Sequence, residues 1–143
     1  HSTRRRQRQM CIRDSSEIDQ MLRKFTKKKF QFSFTPHLSP MFRGILSTIY
    51  VDLENNISQT KVLKTLISFY KNESFVKILK SGTLLSTNDV INTNNCYISV
   101  CKSKYSNKII ILSAIDNLIK GGAGQAVQNL NNKFNFPEKT GLK

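Results

Sequence analysis

The sequence predicts an α+β domain with a mostly antiparallel sheet covered by helices. Three observations predict it. Apolar residues recur at helical spacing from Ile18 to Phe25 and from Val62 to Tyr70, and five short runs carry strand-like alternation or β-branched residues. Their order along the chain is helix, strand, strand, helix, short strand, strand, strand, helix, with no internal repeat. A chain of 143 residues, 38% hydrophobic and 22% charged, is a single globular domain with room for a core rather than a disordered segment.

The first fifteen residues, HSTRRRQRQMCIRDS, have neither periodicity and resemble nothing that follows. They read as a non-native or disordered basic segment: RQRQMCIRDS resembles translated sequencing-adaptor text, and the natural sequence is then expected to begin near Ser16. From Ser16 to Thr26, Ile18, Met21, Leu22 and Phe25 share a helical face, and Lys27, Lys28 and Lys29 close the helix where cations suit its C-terminus. Phe30, Phe32 and Phe34 then alternate with Gln31 and Ser33, which predicts a strand with three rings on one face. Pro36 and Pro40 fix a loop, and the chain resumes as a strand from Ile45 to Leu53.

Ser58 to Asn72 is an amphipathic helix packed on the sheet, with Val62, Leu63, Leu66, Ile67 and Tyr70 on its apolar stripe. Phe75 to Leu79 is a short strand, Gly82 a turn, and Asn92 to Asn95 a bend leading into the strand Cys96 to Lys102. Ser106 and Asn107 turn the chain into the strand Ile109 to Leu112. The stretch from Ala114 to Gln128 follows, an Asp116–Asn117 pair and three glycines opening a helix. Glycine inside a helix costs about 1 kcal/mol relative to alanine, so three here imply that a helix or a ligand approaches the backbone closely. Exposed N–H groups at a helix start suit a phosphate-bearing ligand, and the Asn117 amide can both donate and accept.

The formal charge of +14 points at first to nucleic acid, but five arginines against one acid lie within residues 1–14. The remaining surplus is mostly lysine in a chain rich in Asn, Ile and Ser, as solvated lysine faces and AT-rich coding produce. No apolar run approaches the roughly 20 residues of a membrane span, so no membrane association is expected and the cytoplasm is the default location. Cys11, Cys96 and Cys101 are odd in number and lack CxxC spacing, so reduced thiols are expected and neither a disulfide framework nor a metal site. Arg43, at the edge of the proline loop, presents a fork that matches carboxylate or phosphate oxygens, or else a surface salt bridge. His37 reads as a structural hydrogen-bonding residue.

Two motifs at a characteristic spacing carry a family resemblance over roughly Ser16 to Lys143. FTPHLSPMFRGILSTIYVDL, followed far downstream by SAIDNLIKGGAGQAVQNLN and PEKTGL, resembles the C-terminal part of the N-acetyl-gamma-glutamyl-phosphate reductases of arginine biosynthesis. The resemblance implies a partial C-terminal catalytic and dimerisation domain over 16–143, of the kind found in glyceraldehyde-3-phosphate-dehydrogenase-like enzymes. Residues 116–134 would be a terminal helix packing toward the cofactor. It implies an NADP-dependent oxidoreductase that reduces an acyl phosphate to a semialdehyde through a cysteine thioester, and a homo-oligomer in the intact enzyme. By the same resemblance Asn117 would bind the nicotinamide carboxamide, Gly121, Gly122 and Gln125 would line that pocket, and Arg43 would hold substrate phosphate or carboxylate. The family's Rossmann domain has no counterpart in this sequence, and no catalytic residue carries over. None of the three cysteines has the family's Gly-Cys-Tyr-type context, and CIRDSS stands before Glu17-Ile18 where the family has a His-Arg-His segment. The chain is therefore expected to be inactive alone.

A small basic nucleic-acid-binding protein, using the N-terminal arginines, the lysine run and the phenylalanine strand as a stacking platform, is the alternative from a different class. A plain dimerising α+β domain is a third. The alternatives separate in one experiment. If residues 1–14 are only an unrelated basic arm, deleting them abolishes salt-sensitive DNA and RNA binding in a mobility-shift assay; binding that survives the deletion assigns it to the domain.

Overall fold

The protein is described here by a computed structural model covering residues 15–26, 30–54 and 56–143. The chain divides into two compact units between Pro40 and Met41. The first holds one helix, α1, over 15–25. Arg23 pairs with Asp19 one turn earlier at 2.6 Å and sets its guanidinium 5.7 Å from the Phe30 ring. The expected strand over Phe30 to Phe34 is irregular chain instead. Alternation supplies a face, but a strand also needs a ladder partner, and among the described residues none pairs with this run. The expected row of three rings is reduced to one tilted pair, Phe30 and Phe32, 6.2 Å apart. His37 Nδ1 lies 3.0 Å from the Thr35 carbonyl, a local loop contact. Residues 1–14 and the Lys27 to Lys29 run lie outside the described residues.

The second unit carries the sheet. Its strands are β1 (Ile45–Asp52), β2 (Val76–Ile78), β3 (Cys96–Lys102) and β4 (Lys108–Ile115), in the order β1–β4–β3–β2. Only β2 and β3 run parallel, so the α+β, mostly antiparallel expectation holds. Strand β4 continues three residues past the expected Leu112, because β1 offers it ladder partners along all eight positions, from Asp52 opposite Lys108 to Ile45 opposite Ile115. Helix α2 (Gln59–Phe69) starts at Ser58, whose hydroxyl accepts from the Lys61 N–H at 3.2 Å, and packs on β2 and β3.

A parallel pair needs a crossover of about a dozen residues, usually helical. Here the chain from Leu79 to Asn95 makes that crossing with a single 3-10 turn, Thr87–Asp89, closed by reciprocal bonds between Ser86 and Asp89. This segment also supplies the core. Leu85 and Val90 pack with Ala114 of β4, flanked by Leu79, Tyr97 and Leu112. The Ser99 hydroxyl donates to the Thr83 carbonyl at 2.7 Å beneath it. Ser99 and Ala114 point to one face of the sheet, Val100 and Ile109 to the other, and all four are buried, so the centre of the sheet is covered on both sides. The edge strand β1 is not. Leu46 and Tyr50 are exposed on one face, Ile45 and Ile49 on the other.

Helix α3 (Gly124–Lys133) is built the opposite way from a core-facing helix. Its buried residues are Gly124, Gln128 and Asn131, whereas Val127, Leu130 (50% exposed) and Phe134 (63%) face outward. Burying amides requires that they be paired. Asn131 donates to the carbonyls of Glu138 at 3.0 Å and Thr140 at 2.9 Å, and Gln128 donates to the Glu138 carboxylate at 2.7 Å while accepting from the Asn94 amide at 2.8 Å. The helix is thus fastened by polar bonds to the 92–95 turn and to the tail after Pro137.

One buried atom in this seam, Asn94 Oδ1, has no hydrogen-bond partner. A Cβ at Gly124 would overlap that oxygen, so only glycine leaves it room. A Cβ at residue 124 would also come within 2.6 Å of Ile119 Cγ2. A Gly→Ala change in a helix ordinarily stabilises by about 1 kcal/mol. Gly124→Ala is expected to reverse the sign and destabilise by about 1–3 kcal/mol, read from the urea midpoint.

Candidate functional site

The β1–β4 ladder ends at Ile45 and Ile115, and its register carries Arg43 and Gly44 up to Asp116 and Asn117. Side chains take over there from the backbone ladder. Arg43 Nε donates to the Asp116 carboxylate, 2.9 Å from Oδ2 and 3.0 Å from Oδ1, and the Gly44 N–H donates to Asn117 Oδ1 at 2.7 Å. Gly44 is at φ +106°, a left-handed value suited to glycine, and a Cβ would overlap Thr87 Cβ at 2.6 Å. The chain leading into β1 can therefore come this close only through a glycine.

Asp116 is wholly buried and charged, which is tolerable only when its oxygens are satisfied. Oδ1 also accepts from the N–H groups of Leu118 at 2.8 Å and Ile119 at 3.0 Å, and Oδ2 from the Asn92 N–H at 2.8 Å. Asn92 adopts the left-handed conformation (φ +62°) that turns its N–H inward. Burial alone would raise the pKa of this carboxyl, but the bonds from Asn92, Leu118, Arg43 and Ile119 together outweigh it and hold it below the ordinary value of 3.8. One carboxylate thus joins the residues ahead of β1, the crossover turn and the start of the terminal helical segment.

That segment is not helical from residue 116. It opens with a wide turn, Ile119–Ala123, kinked at Gly122, in which the Gly121 N–H reaches the Asp116 carbonyl and the Ala123 N–H the Leu118 carbonyl, both at 2.9 Å. Gly121 and Gly122 are exposed, and a Cβ on either would meet nothing closer than 3.4 Å. Close packing inside the chain therefore accounts for Gly124 and not for these two. Gln125 is half-buried and donates to Asn129 Oδ1 at 2.9 Å. Asn117 is half-buried with its acceptor committed to Gly44, and among the described residues its Nδ2 donor end has no partner. Arg43 is 19% exposed at its side chain, and only its Nε is bonded among the described residues. The structure thus sets Arg43 on the Asp116 side chain and Gly121 and Gly122 against the backbone of Asp116 and Asn117, with Gln125 further along the chain.

Lys120 turns inward. Its Nζ donates to Gln128 Oε1 at 2.6 Å and lies 5.5 Å from the Phe75 ring, and desolvation lowers its pKa against the raising influence of Cys96, Glu138 and Glu73. The described cysteines are free: Cys96 Sγ lies 3.5 Å from the Ser113 hydroxyl and Cys101 Sγ 3.8 Å from that of Ser99. Among the described residues no three His, Cys, Asp or Glu side chains converge as a metal site would require, and no helix is long and apolar enough to cross a membrane. A shallow hollow along α2, beside Ser58, Lys61, Lys64 and Phe69, shares no residue with the Asp116 cluster.

Sequence reasoning missed Asp116 as the hub, together with Asn92, Asn94 and Gln128. Asp116 had a readable signal: an acid two and three residues ahead of the N–H groups of a helical start is the capping pattern. The others had none, because their partners lie far off in the chain.

Residues 13–117 match the family described as "Semialdehyde dehydrogenase, dimerisation domain". N-acetyl-gamma-glutamyl-phosphate reductase of Thermoanaerobacter pseudethanolicus is 47% identical over 88% of this chain and 37% of its own length. The corresponding protein of Desulforamulus reducens is 48% identical over 91% of this chain and 38% of its own. The chain thus spans less than two-fifths of the relatives it matches. A crystal structure of aspartate semialdehyde dehydrogenase II from Vibrio cholerae, complexed with ASA, superposes on 62% of this chain and 26% of its own, at 18% identity and a TM-score of 0.46.

The depressed Asp116 pKa makes a pH prediction. Its stabilisation is present above the ordinary carboxyl pKa and is lost as pH falls through the lower folded-state value. Asp116→Asn is therefore expected to flatten the acid limb of stability below about pH 4 and to cost about 3 kcal/mol at neutral pH. Denaturant titrations across the pH series measure both.

Proposed function

The chain belongs to the semialdehyde dehydrogenase dimerisation-domain family and is homologous to the C-terminal region of N-acetyl-gamma-glutamyl-phosphate reductase, and from that premise we propose that it supplies the ligand-binding C-terminal part of such a reductase. In this reading the whole enzyme converts N-acetyl-gamma-glutamyl phosphate to N-acetylglutamate semialdehyde with NADP, in arginine biosynthesis, in the cytoplasm. The observation that carries it is the Asp116–Asn117 pair, which holds the Arg43 cation on the Asp116 carboxylate and has Gly121 and Gly122 against its backbone.

Each part has a physical role. The unbonded end of the Arg43 guanidinium suits a phosphate or carboxylate oxygen, and its Nε bond to Asp116 fixes the plane of the fork. Asn117 Nδ2 suits the carbonyl of a nicotinamide carboxamide, with its rotamer set by Gly44. Gly121 and Gly122 present backbone without side chains, which lets a flat ring or a ribose lie close, and Gln125 borders them. When bound, the dinucleotide supplies hydride chemistry. The residues present fit it on one side only, as walls that bind and orient. Cys96 and Cys101 contact serine hydroxyls rather than a base, so neither is assigned as a nucleophile.

The open strand β1 belongs to the same proposal. An eight-residue strand that exposes Ile45, Leu46, Ile49 and Tyr50 at a sheet edge is an aggregation liability unless something covers it. A second copy of the chain is the occupant that the family's description favours.

Three measurements test this reading. Nicotinamide mononucleotide added to isotopically labelled chain is expected to shift the Asn117 side-chain amide and the Gly121 and Gly122 N–H signals while leaving α2 unmoved; shifts confined to α2 would refute the assignment. The purified chain is expected to show no phosphate-dependent NADP reduction with N-acetylglutamate semialdehyde, and clear turnover would overturn the division of labour. In sedimentation, the chain is expected to be at least dimeric, with Ile49→Lys shifting it to monomer.

A further inference from the structure

The contacts around Asp116 reach beyond holding the fold. Its Oδ1 is shared by three donors, Arg43 Nε and the Leu118 and Ile119 N–H groups, and the latter two begin the turn that carries Gly121 and Gly122. Its Oδ2 is shared by Arg43 and by Asn92. Beside it the Gly44 N–H holds Asn117, so residues 43–44 and 116–117 are cross-linked twice. Donors on one oxygen compete for it: strengthening one bond weakens the demand on the others. An anion held at the outer end of the Arg43 guanidinium draws that cation's charge away from Asp116, which then binds the Leu118 and Ile119 N–H groups more strongly.

We infer that Asp116 is a positioning residue through which occupancy of Arg43 by an oxyanion is transmitted to the Gly121–Gly122 turn, so that substrate and cofactor arms respond to each other. This rests on the assignment of Arg43 as the anion site. By linkage the effect is reciprocal: a ligand that tightens the turn also favours the anion. No global rearrangement is needed, because every bond in the relay is already formed. Arginine is required at position 43, since lysine lacks a second nitrogen that can bond the carboxylate while another faces outward.

Titration of the labelled full chain with inorganic phosphate, following Arg43 Nε–H and the Gly121 and Gly122 amides by NMR, tests the relay. In the wild type all three signals are expected to move with one midpoint. In Asp116→Asn, Arg43 still responds while the glycine shifts collapse to within the linewidth. Should that variant fail to fold, Arg43→Lys serves instead: phosphate still shifts the side-chain signals at position 43, and the glycines stay still. Movement of Arg43 with silent glycines in the wild type overturns the inference and leaves the anion site standing. Equal glycine shifts in either variant overturn it too. No response of Arg43 to phosphate removes the anion site itself, and the relay with it.

Discussion

A carboxylate with no exposure to water has to be neutralised and hydrogen-bonded on the spot, and Asp116 meets that demand with one guanidinium and three backbone N–H groups. The donors come from three stretches that share no local structure: the loop before β1, the crossover turn at Asn92 and the first residues after β4. Desolvation cost makes the arrangement close to all-or-none, because losing any one donor leaves part of a buried charge uncompensated. The sheet's register, the left-handed turn at Asn92 and the glycine at position 44 are geometric conditions for that cluster to close.

A second polar seam fixes the other end of the terminal segment. Gln128 bonds at once to Asn94, Lys120 and Glu138, and Asn131 bridges two carbonyls of the tail. Directional bonds of this kind specify one orientation of α3, where an apolar contact would tolerate rotation. The consequence is that the glycine turn lies between two polar anchors, Asp116 before it and the Lys120–Gln128 pair within and after it. Its backbone is held while its surface stays bare.

The strands were legible because period and β-branching are local properties. Cys96–Lys102 was read to the residue, and α2, β1 and β2 to within a few positions. The phenylalanine run misled for a physical reason: alternation reports a face, and pairing depends on a neighbour that local sequence does not reveal. In α3 the apolar Val127 and Leu130 mark the outward face, because amides occupy the inner one. At the site, Arg43 and Asn117 were found by motif, but what each is bonded to was not, because Asp116 meets Arg43 from 73 positions away and Asn94 meets Gln128 from 34. The glycines divided along a line that spacing does not draw, Gly124 serving internal contact and Gly121 and Gly122 remaining open.

The pairing of β1 with β4 sets a timetable for synthesis. Strand β1 leaves the ribosome before its ladder partners, which follow roughly 56 to 70 positions later, and the carboxylate that receives Arg43 follows 73 positions after it. At roughly 5–20 residues per second, that is a wait of roughly 4–15 s. Throughout it, an apolar strand has both edges unpaired, at the stage when long-range contacts are slowest to form. That interval, and not only the stability of the finished sheet, therefore sets how long β1 stays open to mispairing.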